Sequence, residues 1–135
     1  KKEIFKTSGG KYIAPAVLES ELKQSRFIEQ VMVIGESQKM PAALIQINFD
    51  FVNEWARRHD YEIKDITTDL TLIFRIQKEV DLYNRNFGSW EQIKKFEITP
   101  DEWTIEAGHL TPTMKMRRSI IKEKYSHLFQ KKYNS

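Results

Sequence analysis

Phe27-Ile28-Glu29-Gln30-Val31-Met32-Val33-Ile34 and Ala42-Ala43-Leu44-Ile45-Gln46-Ile47 are two apolar runs separated by the polar connection Gly35-Glu36-Ser37-Gln38-Lys39-Met40-Pro41. Their short length and β-branched content, bounded by Gly and Pro, read as strands. Upstream, Ile4 to Thr7 and Lys11 to Ile13 are short β-prone segments on either side of Ser8-Gly9-Gly10. Adjacent glycines allow positive φ, so a tight hairpin turn is expected there. Pro15 suits the first turn of a helix, and Val17, Leu18 and Leu22 recur at helical spacing to about Gln24, with Glu19, Glu21 and Lys23 facing outward. Downstream, Asn48 or Asp50 can cap a helix carrying Phe51, Val52 and Trp55. A second helix, about Asp69 to Asn84, places Leu70, Ile73, Phe74, Ile76, Val80 and Tyr83 on an apolar stripe. Gly88 breaks that pattern, Lys95 to Ile98 alternates as a strand, and Pro100 to Pro112 reads as an irregular loop containing Gly108. A last helix, about Met116 to Phe129, turns Ile120, Ile121, Tyr125 and Leu128 inward. The pattern predicts an α+β domain: an N-terminal β-hairpin standing apart from a small mixed sheet packed with helices.

The chain has 135 residues, 40% of them apolar and 12% aromatic, enough to fill one compact core. The absence of cysteine excludes a disulfide framework, a thiolate zinc site and a cysteine nucleophile. Three scattered histidines (His59, His109 and His127) argue against a metal cluster, so no metal ligands are assigned. Val31-Met32-Val33-Ile34 is too short an apolar stretch for a transmembrane helix or a signal-peptide core, and an intracellular domain is expected. The opening Lys1-Lys2-Glu3-Ile4-Phe5-Lys6 runs straight into structured-looking sequence, as expected of a piece of a longer chain. The net charge is +3, with Lys115, Arg117, Arg118, Lys122, Lys124, Lys131 and Lys132 set against Glu123 near the C-terminus. Such an end can meet phosphates or form a solvated helix face.

Three stretches are poorly explained as core, of which Lys1-Lys2-Glu3 is in isolation only a charged terminus. In Lys6-Thr7-Ser8-Gly9-Gly10-Lys11, glycines let backbone amides approach a ligand and lysines suit a phosphate or a narrow polar channel, although the spacing of a P-loop is absent. In Gly108-His109-Leu110-Thr111-Pro112-Thr113-Met114-Lys115-Met116-Arg117-Arg118, Lys115 follows a proline-stiffened loop and precedes an amphipathic helix. Its ammonium can stabilise charge growing on a phosphoryl or carboxylate oxygen. The other tempting residues have plainer readings. His109 is expected to be a solvated loop histidine, and Trp55, Trp90 and Trp103 core or interface residues. Glu54, Asp60, Asp65 and Asp69 read as dispersed surface charges, and Met114 and Met116 as apolar packing.

Lys1-Lys2-Glu3-Ile4-Phe5-Lys6-Thr7-Ser8-Gly9-Gly10-Lys11-Tyr12-Ile13-Ala14-Pro15 resembles the motif that opens the C-terminal domain of AMP-forming acyl-CoA synthetases, in their long-chain fatty acid branch. Leu110 to Arg118 resembles that branch's terminal lysine motif, in the expected order about a hundred residues on. The resemblance is strong over residues 1–35 and 96–121 and weak over 49–93. It implies the mobile C-terminal domain of a long-chain fatty acid–CoA ligase, whose large N-terminal domain holds most of the contacts to ATP, Mg2+ and the acyl chain. It also implies two half-reactions: formation of an acyl adenylate, then of a thioester with coenzyme A. On this resemblance Lys115 is the catalytic lysine of the first step and Lys2 the hinge. Ser8, Gly9, Gly10 and Lys11 then line the coenzyme A path in the second orientation. Thr113-Met114 stands where many relatives carry Ser-Gly, and Val17-Leu18-Glu19 where shorter relatives carry Glu-Ile-Glu, leaving Glu19 in the place of the second acid. The resemblance further implies a cytoplasmic enzyme, peripheral to a membrane at most, no nucleic-acid partner, and no turnover by this polypeptide alone. A competing reading is a non-enzymatic domain that binds nucleic acid or an anionic membrane through its basic end. Simple electrostatic binding requires no such placement of Lys2, the glycine turn and Lys115.

Overall fold

A computed structural model describes residues 4–125, 127 and 128. In chain order it contains β1 (Phe5–Lys6), β2 (Tyr12–Ile13), α1 (Pro15–Leu22), β3 (Ile28–Ile34), β4 (Ala42–Ile47), α2 (Phe49–Arg58), α3 (Leu70–Asn84), β5 (Lys95–Ile98) and α4 (Arg118–Lys124). β1 and β2 form an antiparallel pair of their own, with Phe5 opposite Ile13. The second sheet has the order β3-β4-β5, with β3 and β4 antiparallel and β4 and β5 parallel. The expected α+β architecture, with a separate hairpin and a small mixed sheet, is the one observed. A parallel neighbour needs a crossover, and α2 and α3 supply it between β4 and β5.

The sheet is buried on both faces, which is why β3 and β4 read as nearly continuous apolar runs rather than alternating ones. Val31, Val33, Ala43, Ile45 and Ile47 point into a larger core with Leu18 and Leu22 of α1 and Leu72, Ile76 and Val80 of α3. Met32, Ile34, Ala42 and Leu44 point to the other face, where Trp103, Leu110, Ile121 and Tyr125 cover them. Asn48 caps α2 by accepting the Phe51 N–H at 3.0 Å, and Asp69 caps α3 by accepting the Leu72 N–H at 2.9 Å. Such caps contribute about 1 kcal/mol each.

Several facing assignments need correction. α3 buries Leu72, Ile76 and Val80, whereas Leu70 and Phe74 are exposed and Ile73 and Tyr83 only partly covered. At about 100° per residue, Leu70 and Phe74 lie far around the helix from Leu72 and Ile76, and a helix apolar on several sides leaves the choice of buried face to its neighbours. On α1, Val17 is exposed and Glu19 buried, the reverse of expectation. α4 starts at Arg118 because Met116 is held in a bridge to Leu110; Ile120 is half-buried, and Phe129 lies outside the described residues.

Candidate functional site

Two of the three stretches set apart by sequence fold into the same five-residue turn, and the third, Lys1-Lys2-Glu3, lies outside the described residues. In the hairpin, Thr7 N–H donates to Lys11 O at 2.9 Å, Gly10 N–H donates to Thr7 O at 3.0 Å, and Lys11 N–H donates to Thr7 Oγ1 at 3.2 Å. At the second turn, Thr111 N–H donates to Lys115 O at 2.8 Å, Met114 N–H to Thr111 O at 2.7 Å, and Lys115 N–H to Thr111 Oγ1 at 3.1 Å. Each turn has its fourth residue in the left-handed region, Gly10 at φ 83° and Met114 at φ 68°, and each ends on a lysine. The shared spacing Thr-x-x-x-Lys is visible in the sequence, although nothing there marks Met114 as left-handed.

The turns differ in what surrounds them. Ser8, Gly9, Gly10 and Lys11 are exposed, and the hairpin is tied to the β3–β4 connection by Ser8 N–H to Gln38 O and Ser37 N–H to Lys6 O, both at 2.9 Å. The Lys11 ammonium lies over the Trp90 ring, 5.6 Å from its centroid. Gly9 has no positive φ, and a Cβ placed there meets nothing nearer than Thr7 Oγ1 at 4.0 Å. The turn itself therefore gives no reason for glycine at position 9. Lys115 is exposed, and its ammonium has no hydrogen-bond or ion-pair partner among the described residues. Met114, expected to pack, is 56% exposed, and only Met116 packs on the core.

Beneath the Lys115 turn sits His109, which is buried rather than solvated. Its carbonyl accepts the Arg117 N–H at 2.8 Å and its Nδ1 accepts the Thr104 N–H at 3.2 Å. Burial, reinforced by the Lys124 ammonium and opposed by Asp101, holds its pKa below the ordinary histidine value. The ring stacks on Tyr125, whose phenol burial pushes up to about 12.

Sequence reasoning missed the role of Glu19. Its carboxylate accepts the Val33 N–H at 2.8 Å on the free edge of β3 and meets Arg118 in a fork, Nη1 to Oε2 at 2.8 Å and Nη2 to Oε1 at 2.6 Å. Arg118 also forms one wall of a cleft of about 600 Å3 between the hairpin base at Ile4 and Phe5 and the start of α4 at Ser119 and Lys122. Among the described residues, no hydrogen bond or ion pair joins Lys115 to the glycine turn; each is presented separately. Lys2, Lys131 and Lys132 lie outside the described residues. With Arg118 engaged by Glu19 and Lys124 paired with Asp101 at 3.3 Å, the described part of the basic end is not a continuous free cationic face, and the nucleic-acid or anionic-membrane reading gains no support. Among the described residues, no group of three or more His, Asp or Glu could hold a metal ion, and no helix is long and apolar enough to cross a membrane.

A family model for the AMP-binding enzyme C-terminal domain matches residues 2–135. A long-chain-fatty-acid–CoA ligase of Mycobacterium tuberculosis is 38% identical over 99% of this chain, which covers 23% of that protein. Fatty acyl-CoA synthetase B of Dictyostelium discoideum is 30% identical over 99% of this chain and is covered over 21% of its length. The chain thus spans roughly a fifth of these curated relatives. Among solved structures, the adenylation domain of a carboxylate reductase from Mycobacterium chelonae superposes with a TM-score of 0.81 at 21% identity, over 98% of this chain and 19% of that one, which establishes a shared fold.

Proposed function

We propose, from the premise that this chain belongs to the family of AMP-binding enzyme C-terminal domains, that it is the mobile C-terminal domain of a long-chain fatty acid–CoA ligase. The identity to curated ligases over nearly the whole chain supports that substrate class. In the whole enzyme, a fatty acid carboxylate oxygen attacks the α-phosphorus of ATP, taken with Mg2+, to form the acyl adenylate and expel pyrophosphate. The coenzyme A thiol, having lost its proton, then attacks the acyl carbon and AMP leaves. The partner in both steps is the enzyme's own N-terminal domain, and Lys2 is the hinge between them. The location that goes with this chemistry is the cytoplasm, with the enzyme peripheral at a membrane that supplies its apolar substrate.

The observation that carries the reading is Lys115: an exposed ammonium with no partner among the described residues, on a backbone turn closed by three hydrogen bonds. A fixed cation replaces water on the carboxylate and phosphoryl oxygens where charge grows, and does so without reorganising. The glycine turn takes the second step, because the absence of a side chain at Gly9 leaves the turn's surface open to a thin pantetheine chain. Rotation about Lys2 withdraws Lys115 and brings the glycine turn in. Single-turnover kinetics of each half-reaction in the full-length enzyme test this. Lys115→Ala should lose roughly 10²- to 10³-fold in acyl-adenylate formation and keep thioester formation from supplied acyl adenylate. An unchanged adenylation rate, or equal losses in both steps, sinks the assignment.

A further inference from the structure

Glu19 and Arg118 are separated by 99 positions in sequence and joined by two short, charge-assisted bonds. The Glu19 side chain is 6% exposed and that of Arg118 28%. A carboxylate buried so deeply needs hydrogen-bond donors, and here the Arg118 fork and the Val33 N–H supply three. The position of the pair is the informative feature. Arg118 opens α4 three residues after Lys115, and the intervening segment is fastened by the Leu110–Met116 bridge and the Arg117 N–H to His109 O bond. Glu19 lies in the middle of α1, which packs on β3 and follows the hairpin with only Ala14 between. The fork therefore reaches around the free edge of β3 and fastens the helix beneath the Lys115 turn to the face of the domain opposite it.

We infer that the Glu19–Arg118 pair is a strut that sets where the Lys115 ammonium stands, which makes both of them positioning residues for the adenylation step. The inference rests on the reading of Lys115 as the group that stabilises that step. The same strut does not control the glycine turn, since the hairpin has its own attachment through Ser37 and Gln38. Loss of the strut should therefore act on one half-reaction only. A displacement of about 1 Å in a catalytic group can cost about 10²-fold, so the loss should lie between tenfold and that figure and stay below the loss from Lys115→Ala.

The test is a double-mutant cycle in the full-length enzyme, read by single-turnover rates of both half-reactions. Glu19→Gln keeps the shape and a carbonyl for the Val33 N–H while turning an amide donor against Arg118. Arg118→Lys keeps the charge and loses the fork, and serves if Glu19→Gln folds poorly. Both should slow acyl-adenylate formation, Arg118→Lys the less, and leave thioester formation from supplied acyl adenylate unchanged. In the Lys115→Ala background each should have no further effect, because there is no ammonium left to place. Losses that multiply in that background, that fall equally on both half-reactions, or that are absent from wild-type adenylation overturn the strut. Lys115→Ala measured alone separates the two ideas: if it leaves adenylation intact the catalytic reading falls and the strut with it, whereas if it does not, the cycle judges the strut by itself.

Discussion

Thr7-Ser8-Gly9-Gly10-Lys11 and Thr111-Pro112-Thr113-Met114-Lys115 share a hydrogen-bond pattern, a left-handed fourth residue and a terminal lysine, yet their surroundings differ. The hairpin turn carries glycine where the backbone needs it, at Gly10, and again at Gly9, where the backbone does not. Its lysine rests on Trp90. The second turn carries Pro112, whose ring restricts φ, close to the buried His109, and its lysine is unengaged among the described residues. On the function proposed above, one turn lets a substrate chain pass across it and the other presents a single charge.

The largest effect that could break this comparison is a difference between the two lysines. Alongside the roughly 10²- to 10³-fold adenylation loss expected of Lys115→Ala, Lys11→Ala should leave adenylation unchanged, since its ammonium has a neighbour in Trp90 and no place in that step. Equal adenylation losses would make the turns functionally equivalent. Next in size is Gly9→Leu, expected to slow thioester formation by up to about 10²-fold while adenylation and thermal stability are kept. A matching loss in both half-reactions would mark the turn as merely structural.

Smaller effects test the backbone. Gly10→Met forces a side chain into φ 83° and should destabilise the chain by about 1–2 kcal/mol. Met114→Gly relieves the same strain at φ 68° and should be neutral or stabilising by up to about 1 kcal/mol after the added freedom of the unfolded chain is counted. Chemical unfolding of both variants reads the two signs, and like signs would show that the turns are not equivalent in conformation. The smallest effect is the response to acid, which should touch the Lys115 turn alone. The pKa of His109 is lowered in the folded chain, so the unfolded chain takes up the proton first as pH falls below about 6.5. Its contribution is complete above that pH and is lost on acidification, because an imidazolium cannot accept the Thr104 N–H. Unfolding at about pH 7.5 and about pH 5.5 should show that loss shrinking in His109→Gln, and an undiminished loss would place its origin elsewhere.

The strands and the hairpin turn could be read from sequence because their signals are local. β3 and β4 announce themselves by continuous apolar runs and the hairpin turn by Gly-Gly, whereas the turn at 111–115 reads only as a proline-stiffened loop. Asn48, Asp69 and Pro15 mark helix starts through bonds or angles confined to a single turn of chain. The buried face of α3 and the interior positions of Glu19 and His109 were decided by tertiary structure, whereas the left-handed Met114 belongs to a turn closed by its own five residues. A carboxylate on a helix between Leu18 and Leu22 looks like surface until a guanidinium 99 positions away arrives to neutralise it. A histidine in a polar loop looks solvated until Trp103, Leu110 and Tyr125 gather on the second face of the sheet. Burial of a polar group is favourable only when its partners are present, and those partners belong to the folded chain rather than to its neighbours in sequence.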